Sequence, residues 1–297
     1  MIQYDYDRKA IRKGKFTILH ACIITIIIGL SILFGMKSAT DVMQKEKWEQ
    51  KKQNQEQAEL VNEMDLAQNT NVQEMAPLTK EQIDRINKIY EGEDKVAYLT
   101  FDDGPSPSVT PFILDVLKQH EIKATFFVLG SRVEQYSDLI KREWKEGHYI
   151  ANHGYSHRYK DIYGSKEAVL QEYEATEKAI QYALENDQYH SRLFRFPGGS
   201  IGGHYHDIKQ QAASLLEEKG IAHINWNALT NDSVGTPTKE SIMKNLKQTV
   251  GEKKVVVILM HDAADKILTY EMLPEIIRYL KDWGYQFKNL GSVLEGE

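Results

Sequence analysis

Apolar positions along the 297-residue chain fall into three textures. The first is a solid block, FTILHACIITIIIGLSILFGM, 21 residues at 16–36 without a charge. As a helix it would be about 31 Å long, enough for a hydrocarbon core of about 30 Å. The SAT at 38–40 is a poor small-x-small cleavage signal, and Cys22 after His20-Ala21 is a poor lipoprotein signal, so an uncleaved anchor is predicted. The second texture, residues 37–78, is rich in Gln, Glu, Lys and Asn, with almost no β-branched residues. It reads as a solvated stalk. The third begins near Lys80, where short β-prone runs appear at 95–101, 124–129, 148–152, 193–196, 221–226, 255–260 and 285–290.

Helical spacing fills most of the gaps between these runs. Thr110-Pro111 reads as an N-cap with proline at the first helical position, with Val109, Ile113, Val116 and Leu117 at helical spacing. Ser165, Thr238 and Thr269 are further candidate N-caps, and Gly220 and Gly284 stand where helices should end. Alternating strands and helices over about 200 residues predict an α/β domain with a mostly parallel sheet. Asp102-Asp103, His153, Arg195, Asp232 and His261 all fall at or just beyond the ends of different strands. A closed ring brings such ends to one rim, whereas an open sheet focuses ligands at a switch point, so a seven-stranded, irregular barrel is favoured.

Charge and cysteine content change this picture little. A net charge of −6 gives no global basic field for nucleic acid, and a single cysteine allows no intramolecular disulfide. Arg8, Lys9, Arg12, Lys13 and Lys15 sit tight against the apolar block, whereas most of the lysines after it are set further back, from Lys45 to Lys52. This places residues 1–15 in the cytoplasm and the C-terminal domain, 79–297, outside the membrane.

The polar residues suggest chemistry. NHGYSH at 152–157 holds two histidines four apart in a glycine-containing turn. With an aspartate from another strand end they make a two-imidazole, one-carboxylate set that leaves room for water. The adjacent carboxylates of AYLTFDDGPSP, 97–107, can then divide the work, one binding a cation and the other remaining a base. In LFRFPGGS a fixed Arg195 could hold a carboxylate, and glycine N–H groups could face an oxyanion. His261 at the end of VVVILMH is a candidate general acid, with Asp232 to orient it and Trp226 as a wall. The GGHYHD stretch, with His204, His206 and Asp207, follows no strand end and reads as a loop lip; His120, His190 and His223 read as structural or exposed.

Five ordered motifs, TFDDG (100–104), HGYSH (153–157), RFPGG (195–199), WNALTND (226–232) and LMH (259–261), resemble those of the polysaccharide deacetylases, carbohydrate esterase family 4. The resemblance covers roughly residues 90–292 and implies a distorted (β/α)7 barrel that removes acetyl groups from N-acetylated sugars with one divalent metal. It implies Asp102 as base, and Asp103, His153 and His157 as metal ligands. Arg195 would orient Asp102, Asp232 would support the acid His261, Leu259 would line the acetate pocket, and Gly198 would donate its N–H to the oxyanion. The donor set suits Zn2+, with Co2+ or another divalent ion as alternatives. Three positions depart from the family: Gly154 where Ser or Thr is usual, Gly198 where Tyr is frequent, and Ser233 where many members have Trp. With the anchor, these features predict a membrane-tethered peptidoglycan N-acetylglucosamine deacetylase. The alternatives are a deacetylase of another N-acetylated surface polysaccharide or chitooligosaccharide, and a non-catalytic glycan-binding module.

Overall fold

The computed structural model describes residues 77–296. The expected cytoplasmic N-terminus, the anchor at 16–36 and almost all of the stalk lie outside the described residues. Among the described residues no helix is long and apolar enough to cross a membrane.

Two long strands form the centre. β1 (Val96–Asp102) and β7 (Val255–His261) are almost wholly buried and pair in parallel over their full length, from Val96 opposite Val255 to Asp102 opposite His261. Continuous apolar sequence of this kind is what a parallel strand covered on both faces requires. Around them run β2 (Thr125–Val128), β3 (Tyr149–Asn152), β4 (Leu193–Phe194), β5 (Ala222–His223) and β6 (Ala228–Leu229), in the order β5-β4-β3-β2-β1-β7-β6. β8 (Gln286–Phe287) pairs with the start of β1, on the edge that β2 occupies further along. Among the described residues all pairings are parallel, and β5 and β6 at the two ends of the path are not joined. The sheet is therefore a curled, incompletely closed barrel. The predicted strands are present but several are shorter, and the sequence reading missed β6, whose two residues pair with Ile258 and Leu259.

The period of two along each strand sorts the core into an outer and an inner set. Ala97, Leu99 and Phe101 of β1 face outward with Ile258 and Met260 of β7, against Ile113 and Leu117 of α2 (Thr110–Gln119), Leu246 of α8 (Lys239–Val250) and Ile276 of α9 (Ile267–Asp282). Tyr98, Phe127, Leu193 and Val257 face inward, where Ile83 and Ile86 of α1 (Lys80–Asn87) and Leu294 of α10 (Gly291–Glu295) close the end of the curl at which β1 begins. The same alternation turns Thr100, Asp102, Leu259 and His261 inward at the open end. The remaining helices are α3 (Gly130–Gln135), α4 (Ser137–Lys145), α5 (Tyr159–Ile162), α6 (Lys166–Leu184) and α7 (His206–Glu218).

Ser165 and Thr238 cap α6 and α8 as expected, and Gly220 and Gly284 follow α7 and α9 with positive φ. Two expected caps are corrected. Thr110 is the first residue of α2 rather than its cap, and its hydroxyl donates to Asp262 Oδ2 at 2.6 Å. Thr269 lies inside α9, and its hydroxyl donates to Asp232 Oδ2 at 2.8 Å. In both cases the hydroxyl donates to a tertiary carboxylate, and that of Thr110 also accepts from the Ser106 N–H at 2.8 Å instead of capping the helix.

Candidate active site

The inner rim at the open end collects the residues that the motifs single out. Consecutive strand residues normally point to opposite faces, so Asp102 and Asp103 should diverge. They do not, because Asp103 takes a left-handed backbone, φ 75°, a conformation that aspartate tolerates better than most residues. Both carboxylates then approach one imidazole: Asp102 Oδ2 lies 3.7 Å and Asp103 Oδ1 3.5 Å from His153 Nε2. His157 Nε2 lies 3.3 Å from the same Asp103 oxygen. The next residue must be glycine, since a Cβ at 104 would lie 2.0 Å from the Asp262 carboxylate.

Asp103, His153 and His157 form the one cluster among the described residues that could hold a metal, their ligand atoms lying within 4.8 Å of one another. Asp103 Oδ1 is buried and receives no hydrogen bond, although two imidazole nitrogens converge on it. A buried carboxylate oxygen left this way is costly unless a cation fills the gap, so the three residues fit a divalent metal. The tautomer is set from behind. His153 Nδ1 lies 2.7 Å from the Arg195 carbonyl, which can only accept, so Nδ1 carries the proton and Nε2 offers its lone pair. Burial, with the positive charges of His157 and Arg195, lowers the His153 pKa to about 3, which keeps the ring neutral. The loop between the histidines is shaped by Glu172 on α6, which accepts from the Tyr155 and Ser156 N–H groups at 2.6 and 2.7 Å.

Arg195 has no solvent exposure. Its Nη1 donates to Asp102 Oδ1 at 2.8 Å and to Thr100 Oγ1 at 2.7 Å, and the guanidinium lies 3.9 Å from the centre of the Phe127 ring. Burial raises the Asp102 pKa above its ordinary value, against the charges of Arg195 and His261 and the Arg195 hydrogen bond. One strand over, Asp232 accepts from His261 twice, from Nδ1 and from the backbone N–H, each at 2.8 Å. This leaves His261 Nε2 as the free ring nitrogen. Burial works against its charge, yet the Asp232 hydrogen bond and the charges of Asp232, Asp102 and Asp103 win, raising the pKa to about 9.

The RFPGG turn is pinned through its carbonyls and its serine. Tyr163 donates to the Pro197 carbonyl at 2.7 Å, buried Lys209 to the Gly199 carbonyl at 2.6 Å, and Gln210 to the Ser200 carbonyl at 3.0 Å. Asn225 accepts from the Ser200 N–H at 2.9 Å. Among the described residues nothing accepts the Gly198 N–H, which leaves it available as an oxyanion donor. Half-buried Trp226 flanks this turn, its ring 3.2 Å from where a Cβ of Gly199 would lie, and half-buried Leu259 lies on β7 two residues before His261. His204, His206 and Asp207 stay outside the cluster, with His206 accepting from the Gly202 N–H. Sequence reasoning missed Glu172, Lys209, Thr269 and Asp262, none of which lies in a motif.

Residues 90–217 match the family model for polysaccharide deacetylases. The peptidoglycan-N-acetylglucosamine deacetylase PgdA of Listeria monocytogenes is 37% identical over 199 residues, which cover 66% of this chain and 38% of that protein. The chain thus spans well under half the length of that relative. A peptidoglycan-N-acetylglucosamine deacetylase of Bacillus cereus is 33% identical over 201 residues, covering 66% of this chain and 69% of that one. Among solved structures, a Streptococcus mutans CE4 esterase matches with a TM-score of 0.62 at 30% identity, over 72% of this chain and 92% of that one. Fold, rim and relatives define a class of carbohydrate-active α/β proteins. Within that class the chain belongs to the polysaccharide deacetylase family.

Two outcomes follow from this geometry. Asp103→Asn should weaken divalent-metal binding about 10-fold or more, whereas Asp102→Asn should keep the metal, since Asp102 is held by Arg195 instead. Metal analysis of both variants checks this, and equal loss from the two would contradict the division of roles. The second concerns pH. With a pKa of about 9, His261 is protonated below that value and neutral above it, so activity that uses it as an acid should decline on the alkaline side near pH 9. Asp232→Asn removes the main raising influences and leaves burial, so the His261 pKa should fall by about one unit or more. NMR titration of His261 in the two proteins measures it; an unmoved pKa would show that Asp232 does not set the acid.

Proposed function

We propose that the protein is a divalent-metal-dependent hydrolase that removes acetyl groups from N-acetylglucosamine units of a cell-wall polymer, with peptidoglycan as the favoured glycan. One observation carries the reading: a carboxylate held by Arg195 and an imidazole held by Asp232 face each other across adjacent strands, beside the buried Asp103 oxygen. Asp103, His153 and His157 would hold the metal, and zinc suits their nitrogen and oxygen donors. When bound, such a cation supplies Lewis-acid chemistry, making water more acidic and the acetamide carbonyl more electrophilic.

The chain's own residues divide the remaining work. Asp102 accepts the proton of the attacking water, and Arg195 keeps the carboxylate in place. The Gly198 N–H donates to the carbonyl oxygen as negative charge builds there. His261 Nε2–H delivers a proton to the amide nitrogen as the C–N bond breaks, giving acetate and a free sugar amine. Trp226 and Leu259 border the cleft, Leu259 on the acetate side. The names of the Listeria and Bacillus relatives support peptidoglycan as substrate.

An amide departs only with its nitrogen protonated, whereas an activated ester has a good leaving group. His261→Ala should therefore depress turnover of N-acetylated glycans at least about 100-fold, and of an activated acetate ester far less. Acetate release and free-amine formation from peptidoglycan fragments and chitooligomers provide the measurement. Release from O-acetylated sugars alone, or equal loss on both substrates, would turn the reading toward an esterase.

The reading includes a location. The uncharged 16–36 segment, with five basic residues close on its N-terminal side, would anchor the chain with its catalytic domain outside the membrane. Protease added to intact protoplasts should release a catalytic fragment cut within 37–78. A domain reached only after lysis would reverse the topology.

A further inference from the structure

Tyr159 belongs to none of the five motifs. It opens the single-turn helix α5, two residues after His157, and its ring lies 5.6 Å from the His157 ring and 5.7 Å from Tyr163. Its hydroxyl reaches the RFPGG turn from outside. A Cβ at Gly198 would stand 2.5 Å from the Tyr159 hydroxyl oxygen and 3.2 Å from the carbon that bears it. Gly198 also has φ 70°, so glycine is required there twice, by backbone and by Tyr159.

Three features separate Tyr159 from the packed tyrosines around it. Tyr163 is buried and spends its hydroxyl on the Pro197 carbonyl, whereas Tyr159 is 41% exposed and its hydroxyl makes no hydrogen bond among the described residues. The group lies against the backbone of Gly198, whose N–H also has no acceptor among the described residues. An aromatic face open to solvent with a free polar tip is suited to a sugar, which offers a flat C–H face and a rim of hydroxyls.

We propose that Tyr159 is the specificity-determining residue of this site: it walls the cleft over Gly198, packs against the pyranose ring that carries the acetamide, and donates its hydroxyl to that sugar. The sequence has glycine at position 198, where the family it resembles frequently has tyrosine. Here an aromatic side chain fills that space from α5 instead, and glycine at 198 is the accommodation. This inference rests on the deacetylase reading for the identity of the ligand.

The test compares Tyr159→Ala and Tyr159→Phe with the wild type, all metal-loaded and full-length, on an N-acetylglucosamine oligomer and on an activated acetate ester. Tyr159→Ala should lower kcat/KM on the oligomer about tenfold, chiefly through KM, and should lower the oligomer-to-ester ratio at least about fivefold. Tyr159→Phe, which keeps the ring, should show an intermediate loss. Gly198→Ala should lose activity, and adding Tyr159→Phe should restore part of it by removing the clashing oxygen. A prop for His157 would behave differently: metal affinity would drop and both substrates would suffer equally, and that result overturns the proposal. Oligomer binding to Asp102→Asn, with and without Tyr159→Ala, separates the two readings. Binding that depends on Tyr159 without any turnover by the wild type would sink the deacetylase reading and leave this one standing. Turnover and binding indifferent to Tyr159 would do the reverse, and no binding at all would end both.

Discussion

A guanidinium sealed from solvent must find its hydration replaced by protein, or the fold pays several kcal/mol for it. Arg195 solves this by drawing five neighbours around itself. Its Nη1 takes Asp102 and Thr100 of β1, Nε reaches the Ile224 carbonyl at 3.3 Å, Nη2 reaches the Asn225 carbonyl at 3.2 Å, and its flat face rests on Phe127 of β2. Its own carbonyl orients His153. One residue after a two-residue strand thus ties β1, β2, β3 and the chain beyond β5 together at the rim. The planar fork is what allows it; a lysine ammonium could neutralise Asp102 but could not reach both carbonyls and stack.

Helix α6 performs the matching task outside the sheet. Glu177 accepts from Asn152 Nδ2 at 2.9 Å and from the Ser191 hydroxyl at 2.6 Å, tying the end of β3 to the chain that leads into β4. One and a half turns earlier, Glu172 folds the His153–His157 loop. Both carboxylates use donors of loops whose backbone groups would otherwise lack partners, as buried polar groups must. The loop that carries the candidate metal ligands His153 and His157 therefore depends on a helix that carries no motif residue. Asp262 does the same on the other side, its N–H donating to the Asp102 carbonyl at 3.0 Å and its carbonyl accepting from Ser106 at 2.6 Å.

What the sequence revealed follows from which forces are local. β1 and β7 are continuous apolar runs, so their ends, and hence Asp102 and His261, could be located without a structure. The seven motif residues proposed for catalysis and metal binding lie at or beyond strand ends, and the fold brings them to one rim. β4, β5 and β6 are held by two residues each, too short for periodicity to register, and β6 escaped notice altogether. Thr110 and Thr269 looked like helix caps because a threonine before a helix usually is one; only tertiary proximity diverts them to Asp262 and Asp232. Glu172, Lys209 and Tyr159 gave no signal, since surface-type residues on helices acquire their roles from what packs opposite.

Burial threatens the proposed acid His261 and base Asp102 in the same way, because each would have to be charged to work and desolvation favours the neutral form. The structure answers with opposite counter-ions on adjacent strands. Arg195 stands behind Asp102 and Asp232 behind His261, while the register of β1 and β7 sets the two working groups side by side. Burial raises the Asp102 pKa, which makes it a stronger base than an exposed aspartate, while the Arg195 charge and hydrogen bond favour its ionised form. His261, raised to about 9, is protonated below that value. Each group is thus drawn toward its charged form by the partner behind it. Removing either partner would leave that group with burial and without its main counter-ion.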